Sequence, residues 1–145
     1  MKEPTDQIAS LAALPLFSGL DREDLKEVAV KGHPVRFPAG ETIVERGDSG
    51  DALYIILSGA AEVDVGGRFH RIERGDFLGE MAVMAGKGRM ATVVAREDVE
   101  ALRISAPDFE TILLDRPRVA VTILKRIVER LREVQERIDA WIGVW

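Results

Sequence analysis

Gly75–Val93 reads GDFLGEMAVMAGKGRMATV, and its parts do not make an ordinary strand-and-turn segment. Phe77-Leu78 close an apolar strand, and Gly79-Glu80 then set a carboxylate inside the apolar run. Gly86 and Gly88 break the pattern, and Arg89 precedes the β-branched Thr92-Val93. GEMAVMAG is short, enough for one or two helical turns. A helix start beside glycines presents free backbone N–H groups, a cradle for an anion. Arg89 adds a permanent cation whose planar fork suits two phosphate oxygens. Ionised Glu80 only accepts hydrogen bonds, which suits the hydroxyl groups of a sugar. A sugar phosphate or nucleotide satisfies this set. A Glu80–Arg89 ion pair closing a loop satisfies it equally, and residue types alone leave both readings open.

Around this stretch, from Val35 to Ile104, short runs rich in Val, Ile, Leu, Tyr and Phe alternate with turn sequences: PAGE, RGDSGD, LSGA, VGGR and ERGD. Such spacing predicts an antiparallel sandwich, roll or barrel rather than βαβ units. Gly66-Gly67, between AEVDV and RFHRI, predicts a tight hairpin. The two Arg-Gly-Asp triplets, Arg46–Asp48 and Arg74–Asp76, read as turn chemistry, since Gly-Asp supplies left-handed and Asx-turn geometry.

Helices are expected on both sides. IASLAALPLF puts Ile8, Leu11, Ala12 and Leu14 on one face before Pro15 interrupts, and Asp21 caps a second helix that buries Leu25 and Val28. After the strands, Ser105 caps SAPDFETILLD, with Pro107 in the first turn and Asp108 where a capping-box acid would stand. Arg116-Pro117 punctuates, and a long helix follows from about Arg118 to Trp141. Its apolar residues Leu124, Ile127, Leu131, Val134, Ile138, Trp141 and Trp145 recur at alternating steps of 3 and 4, a heptad seam. Val128 and Ile142 widen that stripe, enough for the helix to touch both its own domain and a partner. One reading packs it on its own domain; the other, a two-helix homodimer, is preferred. Glu133 and Arg137 are placed for an i,i+4 pair. Residues 116–137 hold seven basic and three acidic side chains, read as a solvated flank rather than a nucleic-acid surface.

The whole chain is compatible with this scheme. Its 145 residues suit one domain, and 46% hydrophobic with 31% charged residues is a globular composition. A formal net charge of −5 gives no electrostatic case for nucleic acid or anionic membrane. No cysteine is present, so disulfides and thiolate chemistry are excluded. MKEPTDQIAS lacks the apolar core of a signal peptide, and no apolar run approaches the roughly 18–20 residues of a membrane span. A cytoplasmic domain is expected.

The stretch FLGEMAVMAGKGRMATV resembles the phosphate-binding cassette of the cyclic-nucleotide-binding domain family, found in catabolite activator proteins, kinase A regulatory subunits and gated channels. That cassette runs roughly Phe-Gly-Glu-Leu-Ala-Leu, a few variable residues, then Pro-Arg-Ala-Ala-Thr. IVERGDSGDALYIILSGAAEV resembles a second family pattern, Gly-Asp, a small residue, four apolar residues and Gly. LPLFSGLDREDL and RPRVAVTILKRIVERLREVQERI resemble its helical lead-in and its long last helix, so the likeness covers nearly the whole chain. It implies a mainly β fold with flanking helices: an antiparallel, jelly-roll-like β-roll with short N-terminal helices, a short cassette helix and a long C-terminal helix. The implied layout is one domain over 1–145. N-terminal helices fill 1–34, the roll 35–104 with its cassette at 77–92, and C-terminal helices 105–145, with a candidate dimer seam at 124–145.

By the same resemblance, Arg89 would pair with the exocyclic phosphate and Glu80 with the ribose 2′-hydroxyl. Gly79, Ala82, Met90 and Ala91 would complete the ribose and phosphate contacts, and Val63 and Ile72 would line the wall near the base. The implied role is a regulatory sensor for signal transduction, with no cofactor and a cyclic nucleotide as ligand. Closure of the cassette would be passed to the C-terminal helix. Two positions depart from the family pattern. Met90 stands where relatives carry Ala, Ser or Thr and has no hydroxyl to reach a guanine, which favours cAMP over cGMP. Gly88 replaces the usual proline and loosens the loop. The alternative is a roll that has lost its ligand and serves as a dimerisation module. A metal enzyme of the cupin kind would need clustered ligands, and only His33 and His70 are present, neither with a second histidine at ligand spacing. No catalytic set is expected.

Overall fold

The computed structural model describes residues 4–65, 67–86, 88, 89 and 91–142. Expectations placed on Gly66, Met90 and Trp145, and on the side chains of Ile138, Trp141 and Ile142, lie outside the described residues.

Among the described residues, eight strands form two four-stranded sheets in which every pairing is antiparallel: β1 (His33–Phe37), β2 (Thr42–Val44), β3 (Ala52–Ser58), β4 (Ala60–Val65), β5 (Arg68–Glu73), β6 (Phe77–Leu78), β7 (Thr92–Ala95) and β8 (Val99–Ser105). One sheet has the order β1-β8-β3-β6, the other β2-β7-β4-β5. The helices are α1 (Pro4–Ala12), α2 (Arg22–Lys31), α3 (Glu80–Ala85), α4 (Ala106–Asp115) and α5 (Pro117–Ile142), with a 3-10 turn at Pro15–Phe17. This is the β-roll with flanking helices that the resemblance implied. The strands begin two residues earlier than expected, at His33, and α5 begins at Pro117, whose fixed φ suits a first helical position.

Strand patterning explains the layering. β3 is apolar on both faces because it is covered on both. Ala52, Tyr54 and Ile56 join the core between the sheets, while Leu53 and Ile55 join the core under the helices. β8 divides likewise, with Val99 and Ala101 inward and Leu102 and Ile104 toward the helices. β4 alternates instead. Ala61 and Val63 face the inter-sheet core, so Glu62 and Asp64 fall on the solvent face of the second sheet. His33 opens β1 and His70 lies on β5, both exposed.

The helical ends follow their expected caps. Asp21 and Asp24 form a reciprocal capping box on α2, and the Ser105 hydroxyl accepts from the Asp108 N–H at 3.3 Å. In α1, Ile8 and Leu11 are buried as expected, as is Leu14 just beyond the helix, but Ala12 is exposed, since it lies about 100° round the helix from Leu11. Both Arg-Gly-Asp triplets are turns: the Asp48 N–H donates to the Glu45 carbonyl at 3.0 Å, and the Asp76 N–H to that of Glu73 at 3.0 Å.

α5 carries two stripes rather than one. Val119 and Ile123 are buried and Ile127 half-buried against the core, each of the first two contributing about 1.5–3 kcal/mol. Of the expected seam, Leu124 is 59% exposed and Leu131 64%, and Val128 and Val134 are exposed too. Among the described seam residues only Ile127 turns inward. Within 124–134 the seam is therefore split: Ile127 packs on the chain's own domain, while Leu124, Leu131 and Val134 do not. The core face is offset from the seam by part of a turn. Glu133 pairs with Arg126, two turns earlier on the same face, at 3.5 Å, and among the described residues it makes no pair with the expected Arg137. No helix of the described residues is long and apolar enough to cross a membrane.

The backbone N–H of Asp24, bonded to the Asp21 carboxylate, holds that carboxylate below its ordinary pKa of 3.8. A depressed carboxylate stabilises the fold above its unfolded pKa and loses that contribution as pH falls through its folded value. Asp21→Ala should therefore melt at a lower temperature than the parent chain at pH 7, with the gap narrowing below about pH 4. A gap unchanged between pH 7 and pH 3 would contradict the capping account.

Candidate functional site

Two loops build the site, and their backbones are tied together. The Arg89 N–H donates to the Asp48 carbonyl at 2.7 Å, and the Gly47 N–H donates to the Arg89 carbonyl at 3.0 Å. The stretch after α3 is thereby laddered onto the turn between β2 and β3. A Cβ at Gly50 would collide with the Cβ of Ala82 on α3, so the Gly-Asp loop and the cassette helix meet at a point where no side chain fits.

Arg89 is only 6% exposed. Its Nη2 donates to the Ala52 carbonyl at 2.7 Å, its Nη1 to the Gly79 carbonyl at 3.4 Å, and the Asp51 carboxylate lies 3.7 Å away. A guanidinium has five N–H donors, so two carbonyl bonds leave it able to hold an anion. Gly79 is required by this packing. Its φ is +94°, and a Cβ there would meet Arg89 Nη1 and lie 2.8 Å from the Ala52 carbonyl oxygen.

Glu80 opens α3 and turns toward α5. Its Oε1 accepts from Arg130 Nη1 at 3.0 Å. Arg130 also donates through Nη2 to the Phe77 carbonyl and to Asp76 Oδ1, the latter at 3.2 Å, while its guanidinium stacks 4.3 Å over the Phe77 ring. Arg126, one helical turn earlier, donates to the same Asp76 oxygen at 2.9 Å and pairs with Glu129 at 3.3 Å. Burial acts to lower the Arg126 pKa and is the largest single effect, but Asp76 and then Glu133 outweigh it, and the pKa is raised above its ordinary value. Arg126 and Arg130 thus join Asp76 and Glu80 across the junction of roll and helix, with Glu129 and Glu133 adding to the cluster from α5 itself.

Glu80 and Arg89 do not pair. Among the described residues Glu80 is held by Arg130, and the carboxylate beside Arg89 is Asp51. That removes the loop-closing ion pair, one of the two readings of the residue types. Ala82 is buried, Ala91 half-buried, and Ile72 and Val63 line the inter-sheet core on neighbouring strands, with Ala61 opposite Ile72 and Val63 opposite His70. A cavity of about 250 Å³ beside Arg89 is lined by Ile43, Val44, Asp48, Ser49, Asp51 and Tyr54. Of the expected residues that are described, only Arg89 borders it.

Arg126 and Arg130 are not in the solvated flank expected for 116–137. They lie on the phase of Val119, Ile123 and Ile127, so the legible signal was a pair of arginines at i,i+4 on the core-facing stripe. Asp76 escaped notice for another reason, since the turn reading accounted for it fully.

The family model of the cyclic nucleotide-binding domain matches residues 34–116. The chain is 40% identical over 108 residues to a cAMP-dependent protein kinase regulatory subunit of Aspergillus fumigatus, covering 72% of this chain and 26% of that protein. It is 36% identical over 120 residues to a cyclic nucleotide-gated potassium channel of Rhizobium etli, covering 83% of this chain and 34% of the channel. The chain therefore spans about a quarter to a third of those relatives. Among solved structures, the Thermus thermophilus catabolite activator protein superposes with a TM-score of 0.76 at 30% identity, over 88% of this chain and 62% of that one.

Gly79 gives a direct test of the packing. Gly79→Ala combines a left-handed backbone, about 1–3 kcal/mol for a non-glycine residue, with a clash against Arg89. Gly86→Ala, also at positive φ but with nothing within 4 Å, carries the backbone cost alone. Urea unfolding should show the larger loss for Gly79→Ala; equal losses would mean that Arg89 does not pack as described.

Proposed function

The chain belongs to the cyclic nucleotide-binding domain family, and from that premise we propose that it is a regulatory sensor domain binding cAMP in preference to cGMP. In this reading Arg89 takes the exocyclic phosphate and Glu80 the ribose 2′-hydroxyl. Gly79, Ala82, Met90 and Ala91 complete the cradle, and Val63 and Ile72 form the wall near the base. The observation that carries the reading is the buried Arg89 guanidinium, held by two carbonyls and an exposed carboxylate, with donors left for an anion. Met90 offers no hydroxyl to a guanine, which favours adenine. The domain acts by binding, not by catalysis. Its setting is read as cytoplasmic signalling, where a soluble anionic ligand is sensed.

Coupling runs through Glu80. A carboxylate has acceptor sites on both oxygens, so Glu80 can receive a ribose hydroxyl while Oε1 stays on Arg130. A nucleotide that orders Glu80 then makes it a firmer anchor for Arg130. The docked position of α5 is favoured in proportion to that difference.

A second reading is favoured by one observation, the exposed stripe of Val121, Leu124, Val128, Leu131 and Val134. That stripe is an apolar face suited to a second copy of α5. It makes the domain a homodimer, with or without a ligand.

Calorimetric titration with cAMP and cGMP, on protein freed of co-purified ligand, distinguishes these. Saturable binding at micromolar affinity or tighter is expected, with cAMP at least as tight. Arg89→Ala should weaken it by about 100-fold, the upper range for a lost charge-assisted contact. Affinity within a few-fold of the parent chain in that variant would sink the assignment. No heat with either nucleotide, together with a dimer in light scattering that Leu131→Asp dissociates, would leave the dimerisation module as the function.

A further inference from the structure

A second cleft, of about 560 Å³, lies between three elements of the fold. One wall is the 3-10 turn and the residues after it, the second is the turn joining β5 to β6, and the third is the flank of α5 from Thr122 to Glu129. Its volume falls in the roughly 300–1,000 Å³ range of small-molecule sites. None of its residues belongs to the nucleotide site proposed above.

The charges around it are unevenly matched. Arg126 is consumed within the wall by Asp76 at 2.9 Å and Glu129 at 3.3 Å. Arg74 and Lys125 are not. Arg74 donates to the Ala13 carbonyl at 3.2 Å, and among the described residues neither it nor Lys125 has a carboxylate partner. One stands on the turn, the other on α5, so an anion between them offsets two cations at once. Pro15 and Leu16 add apolar surface to the same cleft. A hydrated inorganic ion would make no use of that surface, whereas an anion on an apolar body would.

We propose that this cleft binds a small organic anion, a carboxylate or phosphate on an apolar body, which clamps α5 to the Arg74-Gly75-Asp76 turn. Binding itself is independent of the nucleotide reading. Its consequence rests on that reading, because the clamp stabilises the same docked helix that Glu80 and Arg130 stabilise, and such coupling is reciprocal.

The test is an amide chemical-shift titration of the whole ¹⁵N-labelled chain with 1-naphthyl phosphate, 2-naphthoate and the neutral 2-naphthalenemethanol. Saturable shifts are expected at Leu16–Gly19, Arg74–Asp76 and Thr122–Glu129 with at least one anion, and the tighter anion identifies the class. The neutral analogue should bind at least ten-fold more weakly. Arg74→Ser with Lys125→Ser should weaken the anion at least ten-fold while the chain stays folded at the titration temperature, and raising the salt from about 10 mM to 150 mM should weaken it in the parent chain. Equal binding of the neutral analogue, insensitivity to both the substitutions and salt, or shifts confined to Leu124, Val128 and Leu131 would each overturn the proposal. Adding cAMP to the anion-saturated protein separates the two claims. Anion binding without any nucleotide binding would leave the cleft standing and remove the sensor reading.

Discussion

Two arginines one helical turn apart, Arg126 and Arg130, meet two carboxylates four residues apart, Asp76 and Glu80, and the placement of α5 depends on that meeting. All four side chains are 13–24% exposed. An exposed ion pair contributes about 0–1 kcal/mol, while a fully buried one costs several kcal/mol of desolvation per ion. Here the groups keep some water, share partners, and hold each other's rotamers. A few kcal/mol in total is the reasonable scale, with charge-assisted bonds at about 1.5–3 kcal/mol before that discount. The apolar anchors Val119 and Ile123 are of similar size. Neither set dominates. A helix held by two comparable groups of contacts, one apolar and one ionic, can be re-weighted by whatever touches the ionic group.

What touches it is the segment that also carries Arg89. Asp76, Phe77, Gly79 and Glu80 are nearly consecutive, so a few residues of chain receive α5 on one side and the buried guanidinium on the other. The contacts are continuous: Arg89 on the Gly79 carbonyl, Glu80 next in sequence, Arg130 on Glu80. Each end is anchored in rigid structure, Arg89 through the Ala52 carbonyl of β3 and Arg130 through the Phe77 ring and carbonyl. In the sensor reading proposed above, this chain of contacts is the path by which an anion at Arg89 would reach the helix, and it needs no long-range relay.

Much of this was legible in the sequence, for identifiable reasons. The turn residues between β-branched runs gave the strands, because Gly-Asp and Gly-Gly steps have few conformational alternatives. Asp21 and Ser105 marked their helices through side-chain caps that act locally. Gly79, Glu80 and Arg89 stood out because a carboxylate and an arginine inside an apolar stretch need partners. The partners themselves were not legible. Which carboxylate meets Arg130 depends on the phase of α5 relative to the roll, a tertiary quantity fixed jointly by the apolar anchors and the ion cluster, so Arg126 and Arg130 passed as solvated. The seam was seen, but its offset from the core face was not, since a heptad and a packed stripe differ by less than one turn over these residues. Ala12 failed for a local reason, a single step round a short helix.

The central claim is that the ion cluster links the cassette to α5, and backbone hydrogen exchange tests it most directly. With saturating cAMP, amides from Val119 to Arg137 should exchange more slowly in the parent chain. The added protection should vanish in Arg130→Ala, where Glu80 no longer reaches the helix. Exchange across α5 that is unchanged by cAMP, or protection that persists in full without Arg130, would contradict the account.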